Sequence, residues 1–163
     1  MAVCIAICIT SMAFAKTEEE NRLEREAVVL NHTARQSGGE HAIVQLLKKE
    51  FNVDETVING LQKRKLGYGD IAVILSLTQQ MPGRIADVNV NKILSLRQGP
   101  PAEGWGVISD RLGLNLGAVI SQVAGIHREV SEDIRKAQDK EYETGREGSY
   151  ERPSAGWWAG RGR

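Results

Sequence analysis

The sequence predicts an all-α domain behind a short leader. Three observations carry this. Leu, Ile and Val recur at helical spacing from Leu23 to Val130. No run alternates apolar and polar residues as a half-buried strand would. One helical hairpin occurs twice, 37 residues apart, as the repeat itself shows below.

Met1 to Ala15 reads as a secretory signal peptide. Every residue from Ala2 to Ile9 is apolar, which suits a signal core and falls short of the roughly 20 residues that a membrane-spanning helix needs. Ala13-Phe14-Ala15 places small residues at a cleavage site, and Lys16-Thr-Glu-Glu-Glu20 opens the expected mature chain. No Lys or Arg precedes the apolar run, where a complete signal carries one. The expected location is the bacterial periplasm or exterior. Cys4 and Cys8 both fall in the leader, so the exported form is expected to lack disulfides, reactive thiols and Cys-ligated metals.

Charge is balanced, with 21 basic and 21 acidic residues. Such a chain has no global attraction to nucleic acid or to an anionic membrane. Beyond the leader no apolar run reaches membrane-spanning length, so no transmembrane anchor is expected.

The helical domain is expected over 16–137. Thr17 and Glu20 form a capping box ahead of Leu23, Ala27, Leu30 and Ala34. Ser37-Gly-Gly-Glu40 offers a second box, opening a helix with Ile43, Leu46, Leu47 and Phe51 inward and Asn52 as a left-handed stop. The first repeat hairpin spans about 54–81. Asp54 caps a helix bearing Val57, Ile58 and Leu61, Lys63-Arg64-Lys65 complements its negative end, and Gly67 is the expected left-handed terminator. A second helix follows from Ile71 to Gln80, stopped by Met81-Pro82-Gly83.

The second hairpin spans about 87–113: a helix with Val90, Ile93, Leu94 and Leu96, an interruption at Gly99-Pro100-Pro101, then Gly104-Trp105-Gly106 leading into Val107–Leu112. Aligned with Gly67-Tyr68-Gly69, the triplets coincide, as do Ile71 with Ile108 and Leu75 with Leu112. A last helix from Asn115 buries Leu116, Val119, Ile120, Val123, Ile126 and Val130. Periodicity ends near Gln138, and 138–163, rich in Glu, Arg, Gly and Ser, is expected to be a disordered tail.

Lys65-Leu-Gly-Tyr-Gly-Asp-Ile-Ala72 together with Gly104–Gly113 resembles small exported bacterial proteins of unassigned activity that carry a duplicated Gly-aromatic-Gly helical hairpin. The likeness covers about Glu40 to Val130. It implies export and a helical fold, and it brings no site with it.

Few catalytic signatures are present. His32, His41 and His127 lack any His or Cys partner at ligand spacing, and no P-loop, Gly-x-Ser-x-Gly elbow or His-Glu-x-x-His appears. The sequence therefore predicts no metal and no cofactor. Asp70 and Asp110 sit near helix ends, where capping and dipole roles account for a carboxylate. Asn31-His32-Thr33 matches a glycosylation sequon, read as incidental beside a bacterial leader.

Four aromatics are candidate partner-binding residues. Tyr68 and Trp105 either plug the two turns or line a groove. Trp157 and Trp158, beside Arg161 and Arg163, would dock on a partner groove, a membrane surface or a single-stranded nucleic acid, or else belong to an idle tail. Ser109, Gly113 and Val119 have the spacing of a DNA-binding helix-turn-helix. The helix that would read bases, Asn115-Leu-Gly-Ala-Val-Ile-Ser-Gln122, carries no Lys or Arg, so the motif reads as a tight corner. The leading expectation is an exported, non-catalytic helical interaction protein, with an envelope or extracellular protein or polymer as partner. The alternatives are an envelope-polymer hydrolase using a carboxylate pair and a helix-turn-helix DNA-binding protein.

Overall fold

The computed structural model describes residues 18–147, which form seven helices with no strand among them. They are α1 (Glu18–Thr33), α2 (Gly39–Phe51), α3 (Glu55–Lys63), α4 (Tyr68–Gln79), α5 (Asp87–Gln98), α6 (Trp105–Leu112) and α7 (Leu116–Glu147). None of them is long and apolar enough to cross a membrane.

α4 is the hub. Ile71-Ala-Val-Ile-Leu-Ser-Leu77 is apolar on almost every side, and a helix of that kind must be covered all round. Tyr68, Gly69 and every residue from Ile71 to Thr78 are buried, with α1, α2, α3, α5 and α7 packed around them. α1 and α7 form the most extensive helix pair. α1 contributes Leu23, Ala27 and Leu30 to the core, and α7 contributes Leu116, Val119, Ile120, Val123, Ile126, Val130 and Ile134. His127 Nδ1 of α7 lies 3.5 Å from Glu26 Oε2 of α1, tying the pair at its rim.

The inward residues expected for α2 are all buried, and Asn52 ends the helix in the left-handed region at φ 50°. Other local expectations need correction. α2 is not opened by a capping box: Gly38, at φ 74°, holds the cap position and no side chain bonds to it. Glu40 instead accepts a hydrogen bond from Tyr68 (2.8 Å). Asp54 occupies the cap position of α3 without a side-chain hydrogen bond. Thr17 lies outside the described residues, and Glu20, its expected partner, is buried at 4 % exposure.

The terminator after α3 is Lys65, at φ 63°, and not Gly67. Gly67 is extended (φ −74°, ψ 163°) and begins the next helix. Gly104 does the same for α6 with nearly the same backbone (φ −72°, ψ 161°). The turn between α6 and α7 is the tight corner expected: Gly113 takes φ 65° and Leu114 N–H reaches back to the Ser109 carbonyl (2.8 Å). Asn115 then caps α7 by accepting from Ala118 N–H (2.9 Å), while its own backbone exchanges two hydrogen bonds with Gln80.

α7 also outruns the expected boundary at 138, continuing to Glu147. Its last buried residue is Ile134, and every residue from Arg135 to Tyr142 is exposed. Trp157 and Trp158 lie outside the described residues.

Candidate functional site

α1 holds the beginnings of α4 and α6 at once. Asn31 and Glu20 are eleven residues apart, three turns of helix, and so share one face of α1. Asn31 Oδ1 accepts a hydrogen bond from Gly69 N–H (2.8 Å), satisfying a backbone donor that the first turn of α4 leaves open. The same carboxamide crowds Gly67, where a Cβ would stand 2.5 Å from Oδ1. Glu20 is seated in the same way on Gly104, where a Cβ would meet its carboxylate. Both glycines are therefore required by close approach, with no demand for a positive φ. Because Asn31 is committed to this contact, the Asn31-His32-Thr33 sequon has a structural account without glycosylation.

The two Gly-aromatic-Gly aromatics follow these glycines and both turn inward. Trp105 is 1 % exposed, with the Arg97 guanidinium 4.6 Å above its ring centroid. Arg97 also donates to the Glu103 carbonyl (3.0 Å), and Arg111 pairs with the Glu103 carboxylate. Trp105 thus plugs the α5–α6 turn. Tyr68 is 8 % exposed, yet its hydroxyl reaches an open groove. Burial, together with the Glu40 carboxylate that accepts its hydrogen bond, pushes the phenol up to about 12.

That groove encloses about 1010 Å³. Its walls are the end of α1, the first half of α2, one stripe of α3 and the α3–α4 turn. Glu55, Asn59 and Gln62 recur at i, i+4 and i+7, so α3 presents a single polar stripe to it. His41 and Gln45 face it from α2, and Arg35 and Gln36 from the turn after α1. Sequence reasoning found Tyr68 but not the carboxamides around it. A polar stripe beside a groove and one facing bulk solvent look the same in sequence; only the packing of α2 against α3 and α4 tells them apart.

Asp70 lines the groove as well, third in α4 after its cap. The Gly67 backbone N–H lies near its carboxylate and favours the ionised form. Burial raises its pKa, the nearby Arg97 and the Gly67 N–H opposing that shift in part. Asp110 is exposed on α6, away from the groove. Glu55 is tied to Lys48 at 3.4 Å. His32 and His41 are exposed, His127 pairs with Glu26, and no group of His, Cys, Asp and Glu among the described residues is arranged to hold a metal ion.

The helix-turn-helix corner places Ser109 and Val119 in the core, as such a corner requires. Two polar residues of its second helix are committed elsewhere: Asn115 bonds to Gln80, and Gln122 donates to Gln79 Oε1 (2.9 Å). The corner thus joins α7 to the end of α4.

Fold and site together define a small helical domain built on one central helix, with an open polar groove beside that helix's start. Compared with protein families, curated proteins and solved structures, the chain matches no family, no protein and no structure.

Proposed function

We propose that this protein is an exported, non-catalytic binding module and that the groove among α1, α2, α3 and α4 is its binding site. One observation carries the reading. The groove is wide and open, and it is lined by Gln36, Gln45, Asn59 and Gln62, side chains that each offer a donor and an acceptor and drive no chemistry of their own. The apolar leader ending in Ala13-Phe14-Ala15 supports export to the periplasm or exterior. The matching backbone of Gly67 and Gly104, each followed by an inward aromatic, supports an origin by duplication of one helical hairpin. In the second copy the aromatic is structural, with Trp105 sealed in the core under Arg97.

Two measurements test this. N-terminal sequencing of protein from the envelope fraction should give Lys16 as the first residue; intact Met1 in the cytosol overturns export. Capture of envelope components by the immobilised protein should be lost in Gln45→Arg/Asn59→Arg, which fills the groove from two exposed positions. The same capture should survive removal of 148–163; loss on that removal alone would move the site to Trp157 and Trp158.

A hydrolytic reading has one observation in its favour, the shared groove of Glu40, Glu55 and Asp70, with burial raising the pKa of Asp70. The place of Asp70 in the first turn of α4, where a carboxylate suits the positive end of the helix, gives it a structural task, which weighs for binding. Incubation with labelled envelope polysaccharide decides: new reducing ends that disappear in Glu40→Gln would establish hydrolysis.

A further inference from the structure

We infer that the occupant of this groove is an extended, cationic peptide segment, an assignment that rests on the binding reading above. The first argument is hydrogen-bonding chemistry. A peptide in extended conformation presents N–H and C=O groups along its length, and a carboxamide can answer both at once. Asn59 and Gln62 of α3 line the groove together with Gln45 of α2 and Gln36 of the turn after α1. From Glu55 to Gln62 the stripe runs roughly 10 Å along the helix, the span of about three extended residues.

The second argument separates peptide from glycan. Sugar-binding clefts set a ring face against an exposed aromatic, and the aromatic side chain lining this groove is Tyr68. Its ring is packed in the core and its hydroxyl is engaged with Glu40, leaving no platform.

The third argument sets the sign of the ligand. Glu40 and Glu55 face the groove with Arg35 as the cation of its lining, Asp70 is partly buried with Arg97 near it, and His41 and Tyr68 are the remaining titratable neighbours. Lys48 offsets Glu55 from outside the lining. Glu40 is the best placed for a ligand: the Tyr68 hydroxyl holds Oε1 at 2.8 Å and fixes the carboxylate's aim. A Lys or Arg of the peptide would meet Oε2. Tyr68 acts here as a positioning residue and Glu40 as the contact.

The test uses the full chain, isotopically labelled, in about 0.15 M salt, where unspecific attraction is screened beyond roughly 8 Å. Three probes are titrated: an acetylated, amidated peptide of alternating Gly and Lys, its Gly-Glu counterpart, and chitotetraose. The cationic peptide should give saturable shifts at the side-chain amides of Gln45, Asn59 and Gln62, and the other two should give none. Glu40→Gln should weaken that binding roughly tenfold, and Tyr68→Phe should weaken it less while leaving saturation intact. Equal response to both peptides, shifts confined to other surfaces, binding of chitotetraose alone, or silence from all three would each overturn the assignment. Silence combined with loss of envelope capture in Gln45→Arg/Asn59→Arg would leave the groove as a binding site and reject only the peptide.

Discussion

Glycine at positions 67, 69 and 104 answers to three different neighbours, and the neighbours rank the expected damage. A Cβ on Gly69 would collide with the Ala27 carbonyl of α1, a backbone atom that cannot move aside. A Cβ on Gly67 meets the short Asn31 side chain, and one on Gly104 meets the far end of the more flexible Glu20. Overpacking of this kind costs about 1–3 kcal/mol. Denaturant titration should therefore rank Gly69→Ala as most destabilising, then Gly67→Ala, then Gly104→Ala. Asn31→Ala should recover part of the Gly67→Ala loss in a double-mutant cycle, though not all, because Gly69 N–H then loses its acceptor. Lys65 is the converse case. An L-residue at φ 63° is strained, so Lys65→Gly should stabilise by about 0.5–1 kcal/mol. The sequence made the importance of Gly67 legible but misplaced its cause. The left-handed position went two residues earlier to a lysine, and the contact that demands glycine comes from a helix 36 residues away. Tyr68 adds a pH signature. Its folded pKa lies above its unfolded value, so its contribution is complete below about pH 10 and fades as pH rises toward 12. Tyr68→Phe should flatten the unfolding curve in that window, and an unchanged slope would remove the phenol as its source.

Among the elements, the amphipathic helices were the legible ones. α2 and α7 each put a stripe of Leu, Ile and Val on one side, and the structure buries those stripes residue for residue. α4 was found as a helix, but its central place was less visible, because a segment apolar all round has no face that says where its neighbours stand. The boundary of α7 was misjudged for the opposite reason. Beyond Ile134 no apolar stripe marks the chain, and the helix continues on local propensity and charge pairs such as Asp133–Lys136 (3.8 Å). Ile134 is thus the last residue through which α7 serves the core. Truncation after Ala137 should keep a cooperative melt within about 1 kcal/mol of the full chain. Truncation after Arg128 removes Val130 and Ile134 and should cost several kcal/mol, enough to broaden or abolish the transition seen by circular dichroism.

For the molecule as a whole, the groove and the core are made by opposite faces of the same helices, α2 and α3 turning Ile43, Leu47, Ile58 and Leu61 inward and Gln45, Asn59 and Gln62 to the groove. α7 closes the core against α1, α2 and α4 and contributes no residue to the groove, while α2 and α3 carry the polar stripes that line it. A ligand in the groove would therefore bridge α2 and α3, and hydrogen exchange in those two helices should slow on binding while α7 stays unchanged. The α1–α7 pairing has a further consequence, for the chain as it is made. α1 leaves the ribosome first of the described helices and α7 last, so Leu23, Ala27 and Leu30 wait for their main partner through the synthesis of everything between. An unfinished chain has α4 surrounded on some sides only, with its run of Ile, Val and Leu open to the solvent. Chains stalled before Val119 should be digested rapidly by protease and should bind a holdase chaperone, and both behaviours should vanish together once α7 has emerged through Ile134.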